Sequence, residues 1–249
     1  MNNYSEIKKA TWENRTETHL QSDLYDLKGF MRGEDSLPPL DYELLGDLEG
    51  KSLLHLQCHF GMDTLSIAQR GTKRTVGIDF SDSAIGKARE LNDSLGLNAE
   101  FICSDIYKLP EVMNEQFDIV YTSYGVISWL EDLYGWGAII ERYLKPGGRF
   151  VMVEFHPVLW MFDEDFKEIK YAYSREEPFI ENGGTYTENG AELIAQTVNW
   201  SYGLAEPVTA LAQNGLRIDQ IQEFYFSPVN LFGKMVKTGN KEYKLPEYK

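Results

Sequence analysis

The chain predicts an α/β fold: a doubly wound, mostly parallel sheet with an N-terminal helical lid and an aromatic-rich insertion after the fifth strand. Three observations predict it. From Lys51 onward, short apolar runs alternate with helix-period segments, the signature of β-α-β units. The run Leu53-Leu-His-Leu56 enters a turn closed by Gly61, and the next run, Thr75-Val-Gly-Ile-Asp79, ends in an acid 18 positions after that glycine. Finally, Lys145-Pro-Gly-Gly148 reads as a turn that leads into the apolar run Arg149–Phe155.

Taken in order, residues 4–30 read as helical, with an interruption near Gly29 and Gly33. Pro38 and Pro39 start a short helix through Leu48, stopped by Gly50. Strands are expected at 52–57, 74–79, 99–103, 117–122 and 148–155. Helices are expected at 62–70, 81–95 and 131–144, with a short piece near 110–114. Ser81 is placed to cap the second of these crossover helices and Gly96 to end it. Residues 157–200 break the rhythm and read as an insertion, its flanks Lys170–Arg175 and Thr185–Trp200 pairing as a hairpin around the turn Asn182-Gly-Gly184. A helix at 203–214 and a strand at 216–226 follow. The polar tail leaves three possibilities for a last edge strand: it is absent, it comes from Leu231–Val236, or the sequence stops before it.

The 249 residues carry a net charge of −15 and a pI near 4.7. A field of that sign repels phosphate backbones and anionic bilayers, so neither nucleic acid nor membrane is the expected partner. Two cysteines, Cys58 and Cys103, with no paired spacing, fit reduced thiols. With no apolar leader at the N-terminus and no run of membrane-spanning length, the expected location is the cytoplasm. No linker composition divides the chain, so one domain is expected: a helical segment 1–50, a binding core 51–156, the insertion 157–200, and a C-terminal part 201–249.

Ligands of doubly wound sheets sit beyond the carboxyl ends of the strands, at the switch point. Three residues fall there. Gly61 closes the first turn, where backbone must approach a ligand. Asp79 ends the second strand, where a carboxylate accepts the hydroxyls of a ribose. Asp105 follows the third strand, within reach of an adenine amino group. His55, Cys58 and His59 invite a metal reading, but His55 lies inside a strand and diverges from His59, so no metal site is expected.

With those residues in place, the chain resembles the class I, Rossmann-like S-adenosylmethionine-dependent methyltransferases. The resemblance runs through five segments: the loop His55–Gly61, Gly77-Ile-Asp-Phe-Ser81, Cys103-Ser-Asp-Ile106, Phe117-Asp-Ile-Val-Tyr121 and Leu144-Lys-Pro-Gly-Gly-Arg-Phe150. It implies bound S-adenosylmethionine, with Asp79, Phe80 and Ser81 at the ribose, Asp105 and Ile106 at the adenine, and the first loop at the methionine end. That loop departs from the family pattern: Gln57 and His59 stand where two glycines are usual, and only Gly61 remains. A small-molecule branch of the family resembles this variant, His-Leu-Gln-Cys-His-Phe-Gly, and Gln57 retains an amide for the methionine end. A nicotinamide dehydrogenase is disfavoured, because its Gly-x-Gly-x-x-Gly turn is absent.

Beyond the fourth strand, Ser123 and Tyr124 are placed to touch cofactor or acceptor. His156, after the fifth, is the first candidate general base and Tyr124 the second. Trp12, Arg15, His19, Tyr25 and Phe30 belong to the expected lid. The expected function is methyl transfer from S-adenosylmethionine to a small molecule. The alternatives are a non-catalytic nucleotide-binding module and another enzyme of this fold, such as an aminopropyltransferase.

Overall fold

The computed structural model describes residues 4–163, 165–231 and 233–246. Its centre is a five-stranded sheet of β1 (Ser52–Leu56), β2 (Arg74–Asp79), β3 (Glu100–Cys103), β4 (Phe117–Ser123) and β5 (Leu144–Val153). Their order is β3-β2-β1-β4-β5, and every pairing is parallel. The chain starts at the centre, steps outward to β3 and returns to β4 beside β1. The switch point therefore lies between β1 and β4, where their carboxyl ends part to leave a crevice.

Ahead of the sheet run α1 (Tyr4–Leu20), α2 (Leu27–Met31) and α3 (Pro39–Leu45). The crossovers are α4 (Met62–Ala68), α5 (Asp82–Leu95), a 3-10 turn at Ile106–Glu111 and α6 (Leu133–Tyr143). All five residues of β1 are buried, as expected for a central parallel strand covered on both faces. Alternate residues feed different packing layers. Leu54, Leu56 and Val120 meet Trp136 and Ile140 of α6, whereas Leu53, Ile119 and Tyr121 meet Leu45 of α3 and Ile67 of α4. The expected cap of α5 is present: the Ser81 side chain accepts the Ala84 N–H at 3.1 Å, and Gly96 ends the helix at φ 62°.

The helix expected over 4–30 is two helices. Asp26, at φ 41°, caps α2 by accepting the Gly29 N–H, so the chain turns before Leu27. The buried side chains of α1 include Lys8, Thr11, Arg15, Thr16 and His19. A helix that buries polar groups lies over a polar cleft rather than an apolar core.

Four other expectations are corrected. Lys145–Gly148 is not a turn ahead of the strand but a bulge within β5, where pairing jumps from Phe117↔Leu144 to Ile119↔Arg149. A Cβ on Gly148 would sit 3.1 Å from the carbonyl oxygens of Phe117 and Asp118, so the bulge needs glycine to approach β4. The insertion hairpin pairs β6 (Phe179–Gly183) with β7 (Ala195–Asn199); Lys170–Arg175 is not an arm. Pro178 explains the late start, since it fixes φ and donates no ladder bond just before Phe179.

Residues 216–226, expected as a strand, form none. The segment finds no ladder partner and leaves Ile221 and Phe224 exposed and Tyr225 91% exposed. After α7 (Ala205–Gln213), β8 (Val236–Gly239) and β9 (Glu242–Lys244) make a separate hairpin. Among the described residues, Leu231–Val236 therefore adds no edge to the main sheet.

Candidate functional site

The loop between β1 and α4 holds alternate residues in the left-handed region: Gln57 at φ 57°, His59 at 53° and Gly61 at 77°. A non-glycine residue there costs about 1–2 kcal/mol. The surroundings hold it in place. The Cys58 N–H donates to the Ile78 carbonyl at 2.8 Å and the Gly61 N–H to the Cys58 carbonyl at 3.0 Å. Gly61 has no room to vary, because a Cβ would meet the Phe101 ring at 2.5 Å. The loop thus keeps a glycine-type backbone path with side chains at two of its three special positions.

Asp79 ends β2 directly beneath this loop. Its Oδ2 accepts the His59 N–H at 2.9 Å and its Oδ1 the Ser81 N–H at 3.0 Å. Burial pushes its carboxyl up to about 6, although the amides of Ser81, His59 and Phe80 oppose the shift. Asp105 Oδ1 accepts the Tyr107 N–H at 3.0 Å and so starts the 3-10 turn whose first residue is Ile106. One continuous cleft is lined by Gln57, His59, Gly61, Asp79, Phe80, Asp105, Ile106, Ser123, Tyr124 and His156. Ser81 is not among its walls; it is buried and its hydroxyl oxygen caps α5.

On the far side of the switch point, Ser123 Oγ lies 3.3 Å from His55 Nε2, and His55 Nδ1 lies 2.9 Å from Thr64 Oγ1. Burial lowers the His55 pKa to about 3, so the ring is neutral. Tyr124, at φ 32°, donates its phenolic proton to Asp41 Oδ2 at 2.7 Å, and Tyr121 donates to the other oxygen. Asp41 is 0% exposed. Burial pushes its carboxyl up to about 6, against the pull of the two phenols.

Glu154 holds the same loop from beneath. Its carboxylate accepts the main-chain N–H groups of Gly125, Val126, Ile127 and Phe155. Burial raises its pKa and these amides lower it. His156 Nδ1 accepts the Val158 N–H at 3.2 Å, which leaves the proton on Nε2, 2.7 Å from Glu223.

The lid is closed over the first loop. The His59 ring packs 5.1 Å from Trp12, stacks 5.1 Å from His19 and lies 5.6 Å from Tyr25. His19 joins three elements, with Nδ1 at 3.1 Å from His59 Nε2 and Nε2 at 2.7 Å from Thr185 Oγ1 of the insertion. Burial lowers the His19 pKa to about 3, assisted by Arg15. Two buried polar atoms of the first loop, Gln57 Oε1 and His59 Nδ1, have no partner. Both residues line the cleft, as expected of groups that await a polar ligand.

Sequence reasoning brought together the loop, Asp79, Asp105 and Tyr124. It missed Asp41, which reads as an ordinary acid in the first turn of α3. It also missed the anchoring role of Glu154, because main-chain partners leave no trace in side-chain spacing.

Residues 53–148 match a family described as "Methyltransferase domain". A demethylmenaquinone methyltransferase of Lactococcus lactis subsp. lactis is 32% identical over 127 residues, which cover 49% of this chain and 50% of that protein. In solved structures, an S-adenosylmethionine-dependent methyltransferase from Mesorhizobium loti matches 78% of this chain and 87% of its own, with a TM-score of 0.56 at 22% identity. One from Clostridium acetobutylicum matches 88% and 90%, with a TM-score of 0.55 at 18% identity. The chain spans about half the length of the first curated relatives it matches. It has the Rossmann-like methyltransferase fold, a parallel sheet flanked by helices and preceded by further helices.

Proposed function

We propose that this chain binds S-adenosylmethionine and transfers its methyl group to a small molecule. The observation that carries the reading is the first loop: three left-handed positions at 57, 59 and 61, tied by the His59 N–H to the acid that ends β2. When bound, the cofactor supplies a methyl group already activated on a sulfonium. The protein's task is then to align and to exclude water.

Asp79 directs its remaining lone pairs to two ribose hydroxyls, while its bonds to the loop hold it in place. Phe80 walls the ribose and Ser81 fixes the start of α5 behind it. Asp105 and Ile106 border the adenine, one by hydrogen bonding and the other by contact. Gln57 Oε1 and His59 Nδ1 fit the methionine end, because a zwitterionic head satisfies both unpartnered atoms. The variant loop is in this reading a working form of the glycine-rich one. Trp12 and Trp129, 5.1 Å apart, help close the cleft from above.

The acceptor lies toward Ser123, Tyr124 and His156. An acceptor that loses a proton has two bases at hand. His156 takes it on Nδ1 by releasing the 3.2 Å bond from Val158, with Glu223 steadying the imidazolium. Tyr124 takes it on its phenolic oxygen while passing its own proton to Asp41. A small acceptor, rather than a nucleic acid, suits a chain of net charge −15.

The test is incubation with methyl-labelled S-adenosylmethionine and a panel of small hydroxyl, amine and thiol metabolites, read by mass spectrometry. Transfer of one labelled methyl to a panel member supports the reading. Cofactor binding with no transfer to any acceptor, water included, favours a binding module. A product that carries a larger group from the sulfonium indicates a different transferase.

A further inference from the structure

Five buried side-chain polar atoms among the described residues have no hydrogen-bond partner: Arg15 Nε, Gln57 Oε1, His59 Nδ1, Trp136 Nε1 and Thr187 Oγ1. Trp136 belongs to the apolar layer under α6. The other four come from three segments that meet over the first loop. We infer that Thr187 of the insertion, together with Gln57 and His59, takes the α-amino-acid head of the bound molecule, and that Arg15 supplies the positive charge behind its carboxylate.

Thr187 and Arg15 are each 5% exposed. A hydroxyl and a guanidinium so deeply buried cost free energy unless they are paired. Arg15 is held without a carboxylate. Its Nη2 donates to the Gly184 carbonyl at 3.1 Å, and its guanidinium lies 5.4 Å from the Trp12 ring and 5.2 Å from the Trp129 ring. The charges that raise its pKa are the phenols of Tyr186 and Tyr25, and burial outweighs them. Such a cation leaves a positive potential with no fixed anion to cancel it.

Thr187, Gln57 and His59 line the cleft, whereas Arg15 stands one layer back, against two tryptophans that do. The chemistry of the set is specific. Gln57 Oε1 only accepts, which suits an ammonium. A His59 Nδ1–H and the Thr187 hydroxyl donate, which suits a carboxylate. A zwitterion satisfies all three, and the carboxylate lies toward the unpaired guanidinium.

The geometry makes the insertion part of this site. Thr185 reaches His59 through His19, Tyr186 packs 4.8 Å from His19, and Asn189 donates to the Thr18 carbonyl at 2.9 Å. The segment 184–189 therefore clasps α1 and places Thr187 on the cleft wall. The inference rests on the cofactor reading above and adds two residues to it.

The experiment compares two ligands that differ by the head group alone: S-adenosylhomocysteine, which has it, and 5′-methylthioadenosine, which lacks it. Both are titrated calorimetrically into the wild type, Thr187→Val and Arg15→Met. Thr187→Val keeps the side-chain shape and should weaken S-adenosylhomocysteine roughly 10-fold, the scale of a hydrogen bond to a charged group. Arg15→Met should weaken it by roughly 10- to 100-fold, and Arg15→Lys should recover part of the loss. Methylthioadenosine should bind all four proteins alike. Equal losses for both ligands would overturn the inference, since they would mean that the variants only loosen the lid. Unchanged S-adenosylhomocysteine affinity in both Thr187→Val and Arg15→Met would also overturn it. A wild type that binds neither ligand defeats the cofactor reading itself, which is a separate result. Thermal melts of each variant confirm that folded protein is being titrated.

Discussion

The main-chain N–H of His59 donates to Asp79 Oδ2 at 2.9 Å. One carboxylate thus holds the first loop and faces the place proposed for a ribose. Asp79→Ala should weaken S-adenosylhomocysteine by about 1–3 kcal/mol, the worth of hydrogen bonds to a charged acceptor. Isothermal titration checks this, and an unchanged affinity removes Asp79 from the ribose.

Gln57 sits at φ 57° and its one listed side-chain bond, to the Val126 carbonyl, is 3.4 Å long. Glycine adopts this conformation freely. Gln57→Gly should therefore stabilise the ligand-free protein by about 0.5–1 kcal/mol, after the entropy that glycine adds to the unfolded chain, while it weakens S-adenosylhomocysteine. Urea denaturation reads the first effect. A clear loss of stability would mean that the side chain's packing outweighs the strain.

Asp41 binds its proton more tightly in the folded chain than in the unfolded one, since burial raises its pKa from 3.8 to about 6. Its contribution to stability is complete below the unfolded value and is lost as pH rises through the folded one. Ligand-free wild type should lose roughly 1–2 kcal/mol of stability through this group between pH 5 and pH 7.5. Asp79, also raised to about 6, adds a loss of the same sign. In Asp41→Asn the fall should be smaller by the Asp41 share. Parallel pH profiles for the two proteins would contradict the assignment.

Glu154 accepts four main-chain N–H groups, three of them from residues 125–127. In Glu154→Gln one acceptor oxygen becomes a donor that faces those amides. The variant should lose about 2–3 kcal/mol of stability, and the amides of residues 125–127 should exchange hydrogen faster. Unchanged protection there would show that the loop does not depend on the carboxylate.

The sheet was legible because its signals are local. The five apolar runs, the Ser81 cap and the Gly96 stop each act within a few residues, and the acid after β2 falls at a spacing that the fold imposes. The strand expected at 216–226 failed for the opposite reason. Its Leu216, Ile218, Phe224 and Phe226 fit a pleated surface, but a strand needs a partner edge, and that is a property of the assembled sheet. The α1 helix misled in another way. Trp12, Leu20 and Leu27 suggested apolar packing, yet the face it buries holds Thr11, Arg15, Thr16 and His19. Only the structure shows that the surface beneath it is polar. Asp41 carries no sequence signal at all, because its partners Tyr121 and Tyr124 lie 80 and 83 residues away.

The measurement that tests the central claim most directly is a calorimetric titration of the wild type with S-adenosylhomocysteine. The account predicts one site per chain with a Kd on the order of micromolar, about −8 kcal/mol, and competition by S-adenosylmethionine for the same site. No binding at millimolar ligand would contradict it.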